Sequence, residues 1–164
     1  MSELDDEINA VLTKLERKGV FLSSYGNVAG TSSLMNGELD VYCSKTAREL
    51  FDCERVIAAR CTVHSLFEGV RSRKDGMEAA EVRAIFERVF KNNKRYEHFD
   101  GYISIGDAVM ALMLENMHCS FNEEVGGTKK SRRVYPWCFV RRVTSENGQC
   151  TRKRRLTNQK RNDG

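Results

Sequence analysis

The apolar positions of residues 4–17 fall at Leu4, Ile8, Val11, Leu12 and Leu15, a spacing that keeps returning to one side of a 3.6-residue helix. Acidic residues open this segment, Glu16-Arg17-Lys18 closes it and Gly19 follows, so the pattern predicts an amphipathic helix that stops at the glycine. The helical period then gives way. GVFLSSYGNVAGTSS reads as a short strand running into a turn, and ELDVYC as a second strand. Ser44 stands where it can cap a helix from about Thr46 towards Phe67, and VRSRKDG follows as a loop. The cleanest periodicity lies in residues 77–90, with Val82, Ile85, Phe86, Val89 and Phe90 on one face and Glu78, Glu81, Arg83, Glu87 and Arg88 on the other. After the loop KNNKRYEHFDG, residues 102–119 are apolar nearly all round. That predicts a helix capped by Ser104 or Asp107 and placed at the centre of the core.

Past residue 128 the texture changes again. VYPWCFVRRV is rich in aromatic and β-branched residues, and SENGQ supplies an Asn-Gly turn ahead of CTRKRRL, which together predict a β-hairpin and a basic tail. Pro136 confines its strand to an edge or a bulge. No internal repeat is visible. The expected fold is α+β: a mainly helical body of about four helices, short N-terminal strands, and a C-terminal hairpin with a flexible basic tail. The division falls between an acidic domain, residues 1–128, and a basic module, residues 129–164.

Composition sharpens that division. The chain has 164 residues, 40% of them hydrophobic and only one proline, enough for a real core. The net charge of +4 conceals a strong asymmetry. Residues 129–164 hold twelve Lys or Arg against Glu146 and Asp163, a net of +10, while the remaining residues carry −6. A basic end on an acidic body implies a polyanionic partner. Six cysteines stand at positions 43, 53, 61, 119, 138 and 150, with no apolar leader-like stretch ahead of them and no run long enough to span a bilayer. The expected setting is a reducing one, nucleus or cytoplasm, with no membrane attachment. The cysteines are then thiols or metal ligands before they are disulfides.

The basic module carries the leading functional expectation. Lys129, Lys130, Arg132, Arg133, Arg141, Arg142, Arg152, Lys153, Arg154, Arg155, Lys160 and Arg161 would contact phosphates and release condensed counterions. Tyr135, Trp137 and Phe139 alternate, so on a strand they share one face. Aromatic rings flanked by arginine pairs suit the stacking of unpaired bases, which favours RNA over DNA. The competing reading makes the three rings the inner face of a hairpin, packed on the helices. Arg71, Arg73 and Lys74 on one side of the 77–90 helix, and Lys91, Lys94 and Arg95 on the other, would extend the phosphate-contacting surface. TRKRR and KKSRR also have the make-up of nuclear-localisation clusters.

Other chemistries find fewer residues to carry them. Cys61 and His64 lie one helical turn apart and, with His118 and Cys119, can be drawn as a tetrahedral zinc set, although no CxxC pair is present. Zinc is therefore the one cofactor to consider; otherwise none is expected. Residues 81–113 have the outline of an EF-hand, but aligning Gly101 with the sixth loop position puts Tyr96 first, His98 third and Asp107 twelfth. That loop lacks the carboxylates calcium needs. There is no GxSxG, P-loop or HExxH, and a cysteine nucleophile with His64 or His118 has nothing in the spacing to favour it, so no enzyme is expected. The expectation is a non-enzymatic, RNA-favouring accessory or regulatory protein whose helical body folds and oligomerises. The alternative is a protein-interaction adaptor with a nuclear-address tail, similar in overall make-up to small basic viral accessory proteins such as silencing suppressors. A structural zinc protein comes third.

Overall fold

A computed structural model describes residues 2–24, 26–27, 42–121 and 136–143. Helix α1 (Glu3–Glu16) starts in a capping box: the Asp5 N–H donates to Ser2 Oγ at 3.3 Å and the Ser2 N–H to Asp5 Oδ2 at 3.2 Å. Ile8, Leu12 and Leu15 are buried, as the spacing predicts. Gly19 ends the helix at φ 78°, where the Val20 N–H reaches Leu15 O and the Gly19 N–H reaches Glu16 O, both at 2.9 Å. This Schellman pairing needs a left-handed residue, which glycine adopts without steric cost.

Strands β1 (Leu22–Ser23) and β2 (Gly26–Asn27) form a short antiparallel pair. The expected second strand, ELDVYC, is described only at Tyr42 and Cys43, and these belong to a helical turn instead. Buried Tyr42 donates its hydroxyl to Leu22 O at 2.7 Å, a tie that fixes the turn onto β1.

The helix expected from Thr46 to Phe67 is two helices. Helix α2 (Ala47–Leu50) has its own capping box between Thr46 and Glu49, and α3 (Cys53–Leu66) begins at Asp52, which accepts from the Arg55 N–H at 3.2 Å. Between them Phe51 is extended and buried, and the Asp52 N–H donates to Asp107 Oδ1 at 3.1 Å. A second N-cap residue and an outside acceptor for its amide are sufficient to end one helix and begin the next.

Helix α4 (Ala79–Asn92) buries Val82, Ile85, Phe86 and Phe90, with Val89 partly covered. Helix α5 (Ile105–Leu114) is capped by Ser104, whose Oγ accepts from the Asp107 N–H at 3.2 Å. Every residue from Gly106 to Leu112 is buried, and α3, α4 and α1 pack around it. The all-round apolar segment thus occupies the centre. Ser23 and Ser24 lie so close to its first turn that a Cβ on Gly106 would stand 1.6 Å from Ser23 O, and the Gly106 N–H donates to Ser24 O at 3.0 Å.

Strands β3 (Phe67–Gly69), β4 (Met77–Glu78), β5 (Cys119–Ser120), β6 (Trp137–Cys138) and β7 (Val140–Arg142) form the sheet regions beside the helices. β6 is central, antiparallel to β4 through Met77↔Cys138 and to β5 through Cys119↔Cys138. β7 carries the same stretch of chain onward to pair with β3, Gly69 opposite Val140 and Phe67 opposite Arg142. At the junction the Phe139 N–H donates to His118 O and Phe139 O accepts from the Val70 N–H, both at 2.9 Å. Residues 136–142 therefore bond to 77–79, to 118–120 and to 67–70 in turn, and residues 71–76 form the loop that joins β3 to β4. Pro136 does not confine this stretch to an edge. It sits one residue before β6, so its missing N–H falls outside the ladder, and its carbonyl accepts from the Ala79 N–H at 3.1 Å. The α+β class with a helical body stands. The hairpin's second arm, beyond Asn147-Gly148, lies outside the described residues.

Candidate nucleic-acid interface

The alternation along residues 136–140 decides which side chains face the helices. Pro136, Cys138 and Val140 are buried, whereas Trp137 and Phe139 are partly exposed, and Arg141 and Arg142 are exposed. The rings thus stand on the outer side of the strand; it is Cys138 and Val140 that pack inward. A period of two allows either phase, and the phase is set by the small thiol and the branched side chain fitting under the sheet.

Trp137 is held in place by the looped-out residues 71–76. Its Nε1–H donates to Arg73 O at 2.9 Å, and the Arg73 guanidinium carbon lies 5.1 Å from the centre of the ring. A Cβ on Gly76 would approach Cys138 O to 2.5 Å and Trp137 Nε1 to 2.7 Å, so only glycine lets the loop close on the indole. Arg71, Arg73 and Lys74 are all exposed in this loop, with Asp75 among them. Phe139, the next outward ring, packs against the His118 imidazole at 4.9 Å between centres. Arg141 pairs with Glu68 across β7 and β3, leaving both side chains well exposed. The outward face therefore carries two partly exposed rings and Arg141, with Arg73 set on the indole, while Arg71 and Lys74 are exposed in the adjoining loop and Arg142 is exposed one position on.

Of the residues expected to grip nucleic acid, the structure describes Trp137, Phe139, Arg141 and Arg142, and it places the first three on one face of the strand. Lys129, Lys130, Arg132, Arg133, Tyr135, Arg152, Lys153, Arg154, Arg155, Lys160 and Arg161 lie outside the described residues. Lys91, Lys94 and Arg95 are exposed. The Lys91 stem is close enough to Gly101 that a Cβ there would meet its Cγ at 2.3 Å.

The four residues drawn as a zinc set have separate surroundings. His64 Nε2 is 3.9 Å from Glu115 Oε2, Cys61 is exposed on α3, His118 packs against Phe139, and Cys119 is buried opposite Cys138. Among the described residues no three His, Cys, Asp or Glu side chains converge as metal ligands. The loop with the EF-hand outline is built for other contacts. Asp100 and Gly101 make a left-handed turn, with φ 52° and 71°. Asp107 points into the protein, where its Oδ1 accepts from Ser24 Oγ at 2.7 Å and from the Asp52 N–H. Burial pushes the Asp107 carboxyl above its ordinary value, while the Ser24 and Ser104 hydroxyls and the Asp52 amide oppose that shift.

A concavity lies where the N-termini of α1 and α3 meet α2, an open groove of about 660 Å³. Asp5, Arg48, Asp52 and Glu54 rim it, and Ile57, 47% exposed, lines one side. Arg48 Nε lies 3.3 Å from Asp5 Oδ2, while Asp5 Oδ1 is buried without a hydrogen-bond partner among the described residues. The Ser2 hydrogen bond, helped by Arg48, holds the Asp5 carboxyl below its usual value against the opposing effect of burial. Burial and the Asp5 charge push the Cys53 thiol up.

Sequence reading missed the clasp of Arg73, Gly76 and Trp137, which joins positions about sixty residues apart and leaves no local periodic signal. It also offered Asp107 as a helix cap and missed its bonds to Ser24 and the Asp52 amide. Compared with protein-family models, with curated proteins and with solved structures, the chain matches none.

Proposed function

We propose that the protein binds nucleic acid, single-stranded RNA in particular, without catalysing a reaction. The outward face of residues 137–142 stacks bases, and the basic segments on either side hold phosphates. The observation that carries this reading is the phase of the strand: Trp137 and Phe139 are turned away from the core, beside Arg73 and Arg141. An outward indole with a guanidinium on it offers both a π surface and a charge to a nucleotide. Arg132, Arg133 and Arg152 to Arg155, with the neighbouring lysines, supply sequence-independent attraction, and the same clusters suit the acidic groove of a nuclear carrier.

The test is fluorescence polarisation with labelled single- and double-stranded RNA at two salt concentrations. We expect saturable binding to the single strand that weakens steeply with salt. Replacing Arg152, Lys153, Arg154 and Arg155 with Gln should lower both the affinity and the salt slope; an unchanged affinity and slope would remove the tail from the grip.

A second reading, the protein-interaction adaptor, draws support from the groove at the ends of α1 and α3, where Ile57 is exposed beside four carboxylate-bearing positions, Asp5, Glu49, Asp52 and Glu54. An adaptor would show no saturable RNA binding at either salt concentration.

A further inference from the structure

The sheet places two of the six cysteines directly opposite each other. Cys119 on β5 is the register partner of Cys138 on β6, both are free thiols, and both are buried. The neighbouring pair, His118 and Phe139, shares a backbone hydrogen bond of 2.9 Å, and bonded and non-bonded pairs alternate in an antiparallel ladder. Cys119 and Cys138 therefore form a non-hydrogen-bonded pair, the class in which facing Cα atoms stand about 4.5 Å apart and side chains approach most closely. That separation falls within the range a disulfide spans, about 4.4–6.8 Å. The facing Cys138 thiol and burial together hold the Cys119 thiol well above its ordinary value.

We propose that Cys119 and Cys138 are a redox-closable pair, a modification site at which two-electron oxidation forms a cross-strand disulfide that staples β5 to β6. The oxidant we name is a small-molecule disulfide such as oxidised glutathione. One protein thiol loses its proton and attacks a glutathione sulfur, forming a mixed disulfide and releasing one glutathione thiolate. The other protein thiol, deprotonated in turn, attacks the protein-bound sulfur and releases the second. Two S–H bonds of the protein are lost, one S–S bond forms, and the two electrons and two protons leave on two molecules of glutathione.

Access sets the rate. Both thiols are covered in the closed sheet, so the reaction waits for β5, the outer strand beside β6, to part from it. Cys119 is the less buried of the two, at 6% against 0%, and it is the first exposed by such an opening. Once formed, the bridge ties together both ends of the segment that carries Lys129, Lys130, Arg132 and Arg133.

The test uses the full chain. Reduced protein is incubated with oxidised glutathione, free thiols are alkylated, and peptides are mapped by mass spectrometry without reduction. We expect a peptide linking Cys119 to Cys138, lighter by two hydrogens than the sum of its parts. We also expect a melting temperature raised by at least about 5 °C that dithiothreitol reverses. Cys119→Ser and Cys138→Ser should each abolish both effects. The map of the unsubstituted chain stands alone should either variant fail to fold. Alkylation of both thiols after oxidation, glutathione adducts without a bridge, or bridges among Cys43, Cys53, Cys61 and Cys150 instead would each overturn the proposal.

Discussion

Arg73 and Trp137 clasp each other from both ends: the indole N–H donates to Arg73 O at 2.9 Å while the Arg73 guanidinium carbon lies 5.1 Å from the ring centre. The contact joins the looped-out residues 71–76 to the central strand and fixes an aromatic ring on the outside of the sheet. An outward ring with one side committed to an arginine still has its exposed part available to a ligand. The proposed nucleic-acid reading rests on that ring.

Trp137→Ala is expected to weaken single-stranded RNA binding by roughly 5- to 150-fold, the equivalent of about 1–3 kcal/mol for one stacked base. Trp137→Phe should keep most of the affinity, because the ring remains, but lose about 0.5–1.5 kcal/mol of stability with the bond to Arg73 O. Fluorescence polarisation and chemical denaturation of the two variants separate these effects. Equal affinities for the two variants would remove base stacking from the account.

Gly76→Ala should destabilise the fold by about 1–3 kcal/mol, because a methyl group there must displace either the Cys138 carbonyl or the indole. Its RNA affinity should fall as well, as the loop carrying Arg71, Arg73 and Lys74 is pushed off the strand. A variant as stable as the parent in urea would show that the loop does not close on Trp137.

Asp107 gives a pH dependence of known sign. Burial raises its carboxyl in the folded protein, so the native state keeps the proton to higher pH than the unfolded chain, whose value is about 3.9. Below the unfolded value both states are protonated and the group contributes nothing. As pH rises from about 3.9 through the raised folded value, the native state binds more protons, and stability declines. Asp107→Asn keeps an oxygen to accept from Ser24 and the Asp52 amide but cannot titrate. Its stability relative to the parent should therefore improve as pH is raised from about 4 to 7. Parallel pH profiles of the two proteins in urea denaturation would contradict this role.

The helices were legible because each has a local cause. The stripes of α1 and α4, the all-round apolarity of α5 and the stop at Gly19 are written in intervals of three and four residues. Where the reading failed, the determinant was distant. The break before Asp52 depends on Asp107, more than fifty residues onward, and Tyr42 is set by a bond to Leu22. The sheet was legible in composition but not in partnership. VYPWCFVRRV announces a strand, yet nothing in it names 67–78 and 118–120 as its neighbours. For the candidate site, the alternation of Trp137 and Phe139 put the rings on one face, and only the packing of Cys138 and Val140 turned that face outward.

The most direct test uses the chain's own probe, since Trp137 is its single tryptophan. Titrating single-stranded RNA into the protein while recording intrinsic fluorescence reads the indole itself, as a base stacks on it. The account predicts saturable quenching, at the same RNA concentration that half-saturates fluorescence polarisation. Binding by polarisation with an unchanged tryptophan spectrum would contradict it, placing the ligand on the charges alone and away from the rings.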